Sequence, residues 1–187
     1  SVLDLDLIEQ SCGEDLLGII GSENIEGFRL GLTYSQNEGF LDRSTTNPRQ
    51  PRQEALKILK YDEMGSEALE CMISREMPKL PFLVDTGSSG SVVLTKALFD
   101  LLVKEEQIVD IFSDKTIDAG GVTENLSGTL ASFRIANYEL KSLPVTVGVS
   151  NAIGIGVLSR FDIVFDFKRN DAILNPSKYF DRVAFSG

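Results

Sequence analysis

The stretch PFLVDTGSSGSVVL, Pro81 to Leu94, carries an apolar strand straight into one acid, Asp85, and then into Thr86, Gly87, Ser88, Ser89 and Gly90. An ionised carboxylate at the end of an apolar strand is costly to desolvate, so it persists where hydrogen-bond donors hold it or where its charge is used. Donors stand beside it. Backbone N–H groups from Gly87 onward can turn toward Asp85, Thr86 and Ser88 add hydroxyls, and the glycines let the chain turn where a Cβ would clash. An Asx turn at a strand end would use the same residues. Residue chemistry alone leaves these two readings level.

What the chain lacks narrows the chemistry further. It has no histidine, which removes the Ser-His-Asp and Cys-His nucleophile machines and the usual zinc and iron sites. Hydrolytic chemistry must rest on carboxylates, hydroxyls or lysines, and neither a metal nor another cofactor is expected. Two cysteines, Cys12 and Cys71, make neither a disulfide framework nor a zinc cluster and read as small buried hydrophobes. A formal net charge of −10 repels phosphate backbones and anionic lipid surfaces, so no nucleic-acid partner is expected. Apolar runs fall short of the roughly 18 residues of a membrane span, and Ser1 to Asp6 lacks a basic n-region followed by an apolar h-region. No membrane span or targeting signal is read.

At 187 residues and 42% hydrophobic, the chain suffices for one domain with a sizeable core, or one domain and part of another. The polar, proline-bearing stretch Asp42 to Gln53 reads as a linker. Beyond it, Lys57 to Tyr61, Ala68 to Ser74 and Leu80 to Val84 read as strands. Thr95 to Gln107 reads as a helix, with Leu98, Leu101 and Leu102 on one stripe behind a threonine N-cap. Strands return at Gly128–Ile135, Tyr138–Leu140, Pro144–Val149, Ile163–Phe167 and Ala172–Leu174. This pattern predicts a mostly-β barrel or sandwich with one or two helices. A weak repeat accompanies it: Gly21 to Leu41 lies without gaps on Gly154 to Leu174, an offset of 133 (154 − 21). Phe28 meets Phe161, Asn37 meets Asn170, and Leu30, Leu32 and Tyr34 meet Ile163, Phe165 and Phe167 in one alternating phase.

The segment FLVDTGSSGSVV resembles the active-site loop of aspartic proteases, an apolar-apolar-Asp-Thr-Gly-Ser/Ala signature. Some seventy residues later NAIGIGVLSRFDIVFDF is similar to the family's second signature, with Ala152-Ile153-Gly154 as its apolar-apolar-Gly. Between them, IDAGGVTENLSGTLASFRIANYELKSLPVTV resembles the flap hairpin and the strand pair after it. The likeness runs from about Lys57 to Asn175 and implies a retropepsin-like lobe, a closed β-barrel with one or two short helices. It implies that Asp85 is one of two aspartates that share a proton and activate a water for attack on a peptide carbonyl. By the same likeness the Thr86 hydroxyl bonds across the lobe interface, the Gly87 N–H binds the carboxylate, and Ser88 bonds its outer oxygen. Ile153 and Gly154 support the site, while Gly120, Gly121, Val122 and Thr123 fall in the flap over a peptide or protein substrate.

No second Asp-Thr/Ser-Gly occurs in the chain, so Asp85 needs a partner acid. It comes either from a second, identical chain or from a lobe lying upstream of Ser1 in the same polypeptide. The repeat favours the upstream lobe. On that reading residues 1–41 are the tail of a first lobe, 42–56 the linker and 57–187 the second lobe. The expected activity is aspartic endopeptidase; a peptide-binding or assembly module that keeps the fold without the chemistry is the alternative. Among other candidates, GIGVLS at Gly154 to Ser159 lacks the third glycine of a dinucleotide loop. Asp166 reads as a structural acid, and the acidic stretch Leu3 to Asp15 lacks calcium-loop spacing.

Overall fold

The computed structural model describes residues 21, 24–43, 55–61, 66–74, 76–118 and 121–181, so Cys12 and the acidic stretch from Leu3 to Asp15 lie outside the described residues. Among the described residues the order begins with β1 (Arg29–Thr33), β2 (Glu38–Asp42), β3 (Ala55–Lys60), β4 (Glu67–Met72), β5 (Leu80–Val84), β6 (Val92–Thr95) and α1 (Lys96–Lys104). It continues with β7 (Ile108–Asp118), β8 (Gly121–Ile135), β9 (Tyr138–Gly148), β10 (Ala152–Ile153), α2 (Ile155–Leu158), β11 (Phe161–Asp166) and β12 (Asp171–Pro176). Hydrogen bonding links the strands in the order β2-β1-β11-β12-β3-β4-β5-β10-β6-β9-β8-β7. A further pairing of β4 with β8, Cys71 opposite Ile135, closes the circuit β4-β5-β10-β6-β9-β8. The fold is thus mostly β, with two short helices among the described residues, and a closed ring of strands removes most free edges.

Alternation fills that ring. Leu69, Phe82, Leu94, Leu130, Phe133, Ile135, Leu143 and Ile153 are all fully buried, and the Phe82 and Phe133 rings meet edge to face at 5.2 Å. A second aromatic group, Tyr138, Phe161 and Phe180, packs with centroids 5.2 to 5.7 Å apart. Helix α1 covers the core through Phe99 and Leu102, while Leu101 turns outward at 42% exposure, so the apolar stripe is shifted by one position from the one expected. Thr95 stands at the N-cap position without a side-chain cap; its N–H donates instead to Asn151 Oδ1 at 3.0 Å.

The repeat has a structural counterpart. β1–β2 and β11–β12 are both hairpins, and Asn37 and Asn170 hold the left-handed region at φ 56° and 54° in their turns. The cross-strand pairs Leu30↔Leu41 and Leu32↔Gly39 become Ile163↔Leu174 and Phe165↔Ala172 on adding 133. β1 pairs antiparallel with β11 so that Gly31 lies opposite Val164, and these two residues are themselves repeat partners. A local two-fold axis therefore passes through that pair.

Several boundaries differ from expectation. β3 begins at Ala55, inside the stretch read as linker, because Ala55 and Leu56 pair with Ile173 and Ala172 of β12. Asp42 ends β2, held by the Arg29 guanidinium at 2.8 Å. β9 runs unbroken where two strands are read, with Ser142 at φ 51° marking an irregular point between them. β7 is a strand of 11 residues that alternation does not mark, since its register shifts between Val109 and Phe112.

Candidate active site

β5 ends at Val84 and Asp85 follows it directly. The short strand β10 lies between the two strands that flank the Asp85 loop, parallel to β5 (Ile153↔Val84) and antiparallel to β6 (Ile153↔Val92). The chain from Asp85 to Ser91 therefore arches over the end of β10. Backbone bonds anchor both feet of the arch: Asp85 N–H donates to Ile153 O at 3.0 Å, and Gly154 N–H to Ser91 O at 3.0 Å. Two more seat its crown, from Ile155 N–H to Ser88 O at 2.8 Å and from Gly156 N–H to Gly90 O at 2.9 Å.

Glycine at 154 follows from that contact. A Cβ there would stand 2.7 Å from Ser88 O and closer still to Gly90 O, both main-chain atoms. At Gly156 a Cβ would lie 2.9 Å from Ser91 Cα. The two backbones touch, and only glycine admits the approach. Sequence reasoning singled out Gly154 and missed Gly156; the Gly-x-Gly spacing was the available signal.

Within the arch, Gly87 N–H donates to Asp85 Oδ1 at 3.0 Å, as the aspartic-protease resemblance implies. Asp85 itself is exposed rather than buried, because the loop carries it off the end of the core strand. Thr86 and Gly87 are exposed beside it, and Ser88 is half-buried. Among the described residues the Ser88 hydroxyl makes no bond to Asp85; its oxygen lies 3.0 Å from where a Cβ on Gly154 would sit. Ile153 is fully buried in the barrel core and Gly154 is buried beneath the arch. Asp85, Gly87, Ser88, Ile153 and Gly154 are thus brought together.

Gly121, Val122 and Thr123 open β8 on the long β7–β8 hairpin, opposite Asp118, Ile117 and Thr116; Gly120 lies outside the described residues. Val122 is 58% exposed, and Thr123 Oγ1 accepts from Asn125 Nδ2 at 3.1 Å. Among the described residues no hydrogen bond joins this hairpin to the Asp85 arch. Asp166 accepts Arg169 N–H at 3.1 Å and fixes the β11–β12 turn, a structural role. Asp162 accepts both the N–H and the hydroxyl of Ser35, 127 residues away, a tie with no local signal. Among the described residues no group of three or more His, Cys, Asp or Glu is placed to hold a metal ion. No helix among them is long and apolar enough to cross a membrane.

Neither a family model nor a curated protein matches the chain. Solved structures do. A retropepsin-like aspartic protease from Rickettsia conorii shares 21% identity over 67% of this chain and 95% of its own, with a TM-score of 0.42. An aspartic proteinase from Irpex lacteus shares 14% identity over 84% of this chain, with a TM-score of 0.50, and the match spans 58% of that enzyme's length. With β10 threaded between β5 and β6 beneath the Asp85 arch, this likeness gives the chain the aspartic-protease fold.

Proposed function

We propose that the chain supplies one half of the active site of an aspartic endopeptidase. The observation that carries this reading is the seating of Asp85: its arch is pinned to β10 at both feet, and one oxygen is held by Gly87 N–H while the side chain stays exposed. A carboxylate so placed is fixed in position yet open to a partner. The second aspartate comes from another lobe or another chain. Two carboxylates at about 3 Å cannot both ionise, so the pair shares one proton and holds a water between them. One acid takes the water's proton as it attacks the peptide carbonyl, and the other protonates the carbonyl oxygen or the departing nitrogen.

The other residues take supporting roles. Thr86, exposed beside Asp85, reaches across to the partner lobe, while Ser88 and Gly154 keep the arch in register over Ile153. Gly120, Gly121, Val122 and Thr123 serve as a flap that closes over an extended peptide and excludes water. Residues 1–41 are the tail of a first lobe, and the stretch between β2 and β3 joins it to the second lobe, which starts with β3 at Ala55. A second reading rests on one observation: no other Asp-Thr/Ser-Gly stands in these 187 residues. Without a partner acid the same arch and hairpin could hold a peptide and not cut it. Incubating the natural polypeptide with a peptide library at acidic pH decides between them. Cleavage that a statine-type inhibitor stops supports the protease; bound, uncut peptides support the binding module.

A further inference from the structure

We infer that Asn151 is a positioning residue: its side-chain oxygen staples the turn that feeds β10 to the end of β6, and so holds Asp85 in place. The consequence for cleavage rests on the protease reading; the staple is argued from the strands alone. β6 lies between β9 and β10, parallel to the first (Thr95↔Gly148) and antiparallel to the second (Ala152↔Val93). The chain must therefore cross from one side of β6 to the other. It does so in three residues, Val149, Ser150 and Asn151, around the end of β6 at Thr95. Val149 stands fully exposed on that crossing.

β10 itself is only two residues long, so its own ladder fixes it weakly. The ladder to β6 runs through Ile153↔Val92 and Ala152↔Val93; continued, it would set Asn151 opposite Leu94 and Ser150 opposite Thr95. The strand has ended by then. Thr95 N–H donates instead to Asn151 Oδ1 at 3.0 Å, so the side chain supplies a rung that the backbone no longer makes. The main chain of the same residue serves the other flank, since Leu83 N–H of β5 donates to Asn151 O at 2.9 Å. Half-buried Asn151 thus ties the entry of β10 to both neighbouring strands, as the arch bonds tie its exit.

From there the path to the acid is short. Asp85 N–H donates to Ile153 O at 3.0 Å, two residues on from Asn151. With the side-chain rung gone, β10 is free to shift along β5, and the Asp85 main chain follows Ile153 O. The bond from Gly87 N–H to Asp85 Oδ1 registers that shift, which makes the Gly87 amide a local reporter.

The test replaces Asn151 in the natural polypeptide and reads both peptide cleavage and the Gly87 amide resonance. Asn151→Ala removes the acceptor, whereas Asn151→Asp keeps an oxygen in its place. The expected alanine result is a kcat about 10-fold lower with KM within about 2-fold of the wild type, because a small displacement of a reacting group costs rate rather than binding. The Gly87 amide proton should move upfield as its bond to Asp85 weakens, and aspartate should restore both readings. An alanine variant with wild-type kcat or an unmoved Gly87 resonance overturns the inference, as does an aspartate variant as impaired as alanine or a change confined to KM. Asn151→Ser, whose hydroxyl is too short to reach Thr95 N–H, takes the place of an alanine variant that does not fold. If the natural polypeptide cuts no peptide, the protease reading fails and the Gly87 resonance alone decides the staple.

Discussion

Replacing Gly154 with alanine is a direct probe of how the Asp85 arch is held. The backbone at Gly154, φ −103° and ψ −168°, is extended and open to any residue, so the cost is steric contact and not strain. The new methyl would stand 2.7 Å from Ser88 O, where carbon and oxygen normally approach to about 3.3 Å, so the arch must lift by roughly 0.6 Å or more. Lifting it stretches the bonds from Ile155 N–H to Ser88 O and from Gly156 N–H to Gly90 O, 2.8 and 2.9 Å long. Overpacking costs about 1–3 kcal/mol and each weakened bond about 0.5–1.5 kcal/mol, which gives about 3 kcal/mol in all. With a urea slope of about 2 kcal/mol/M, the unfolding midpoint should fall by about 1.5 M. Circular dichroism or tyrosine fluorescence reads it. Gly39→Ala is the control: the nearest atom to its Cβ is Gly31 O at 3.4 Å, ordinary contact, and the change should stay within about 0.5 kcal/mol. A Gly154→Ala midpoint equal to that of the wild type would refute the seating of the arch on β10.

Other expectations follow from the core and its edges. Phe133→Ala removes a fully buried ring and its contact with Phe82, and should cost about 3–5 kcal/mol in thermal or urea unfolding; a loss below about 1 kcal/mol contradicts the packing. Burial, reinforced by the Glu70 charge, pushes the Cys71 thiol up from its ordinary 9.0. In a Cys12→Ser background Cys71 should therefore resist a thiol reagent until denaturant is added, and rapid labelling of the folded chain counts against its burial. Because its folded value is raised, the stabilisation is complete below pH 9.0 and is lost as pH climbs beyond it, so Cys71→Ala should flatten the alkaline fall in stability. The buried Arg160 donates to Tyr179 O and Phe180 O, each at 3.2 Å, so Arg160→Met should cost about 2–3 kcal/mol and speed proteolysis after Ser177; unchanged cleavage would show that the tie is idle.

What the sequence made legible was whatever two backbones or a short period enforce. The bounds of β5, Leu80 to Val84, are the ones read from its apolar run, and Gly154 announced the close approach that the arch requires. The two asparagine turns exposed the hairpin symmetry, because few residues tolerate φ near +55°. Other features depended on partners remote in sequence. Residue chemistry left Asp85 level between a donor-held acid and a turn residue, because whether a strand-end loop turns into or out of the core is set by β10, nearly seventy residues on. β7 hid because its bulge breaks the two-residue period. Leu101 and Phe99 stand two apart on α1, and the sheet beneath, not the helix period, decided which of them is buried.

The central claim is that Asp85 does chemistry and is not only a turn residue. The most direct measurement compares peptide cleavage at acidic pH by the natural polypeptide and by its Asp85→Asn variant, which keeps the shape of the side chain and removes its acid. The expected result is a rate at least about 100-fold lower in the variant, with its unfolding midpoint little changed. Cleavage at the wild-type rate by folded Asp85→Asn would contradict the account.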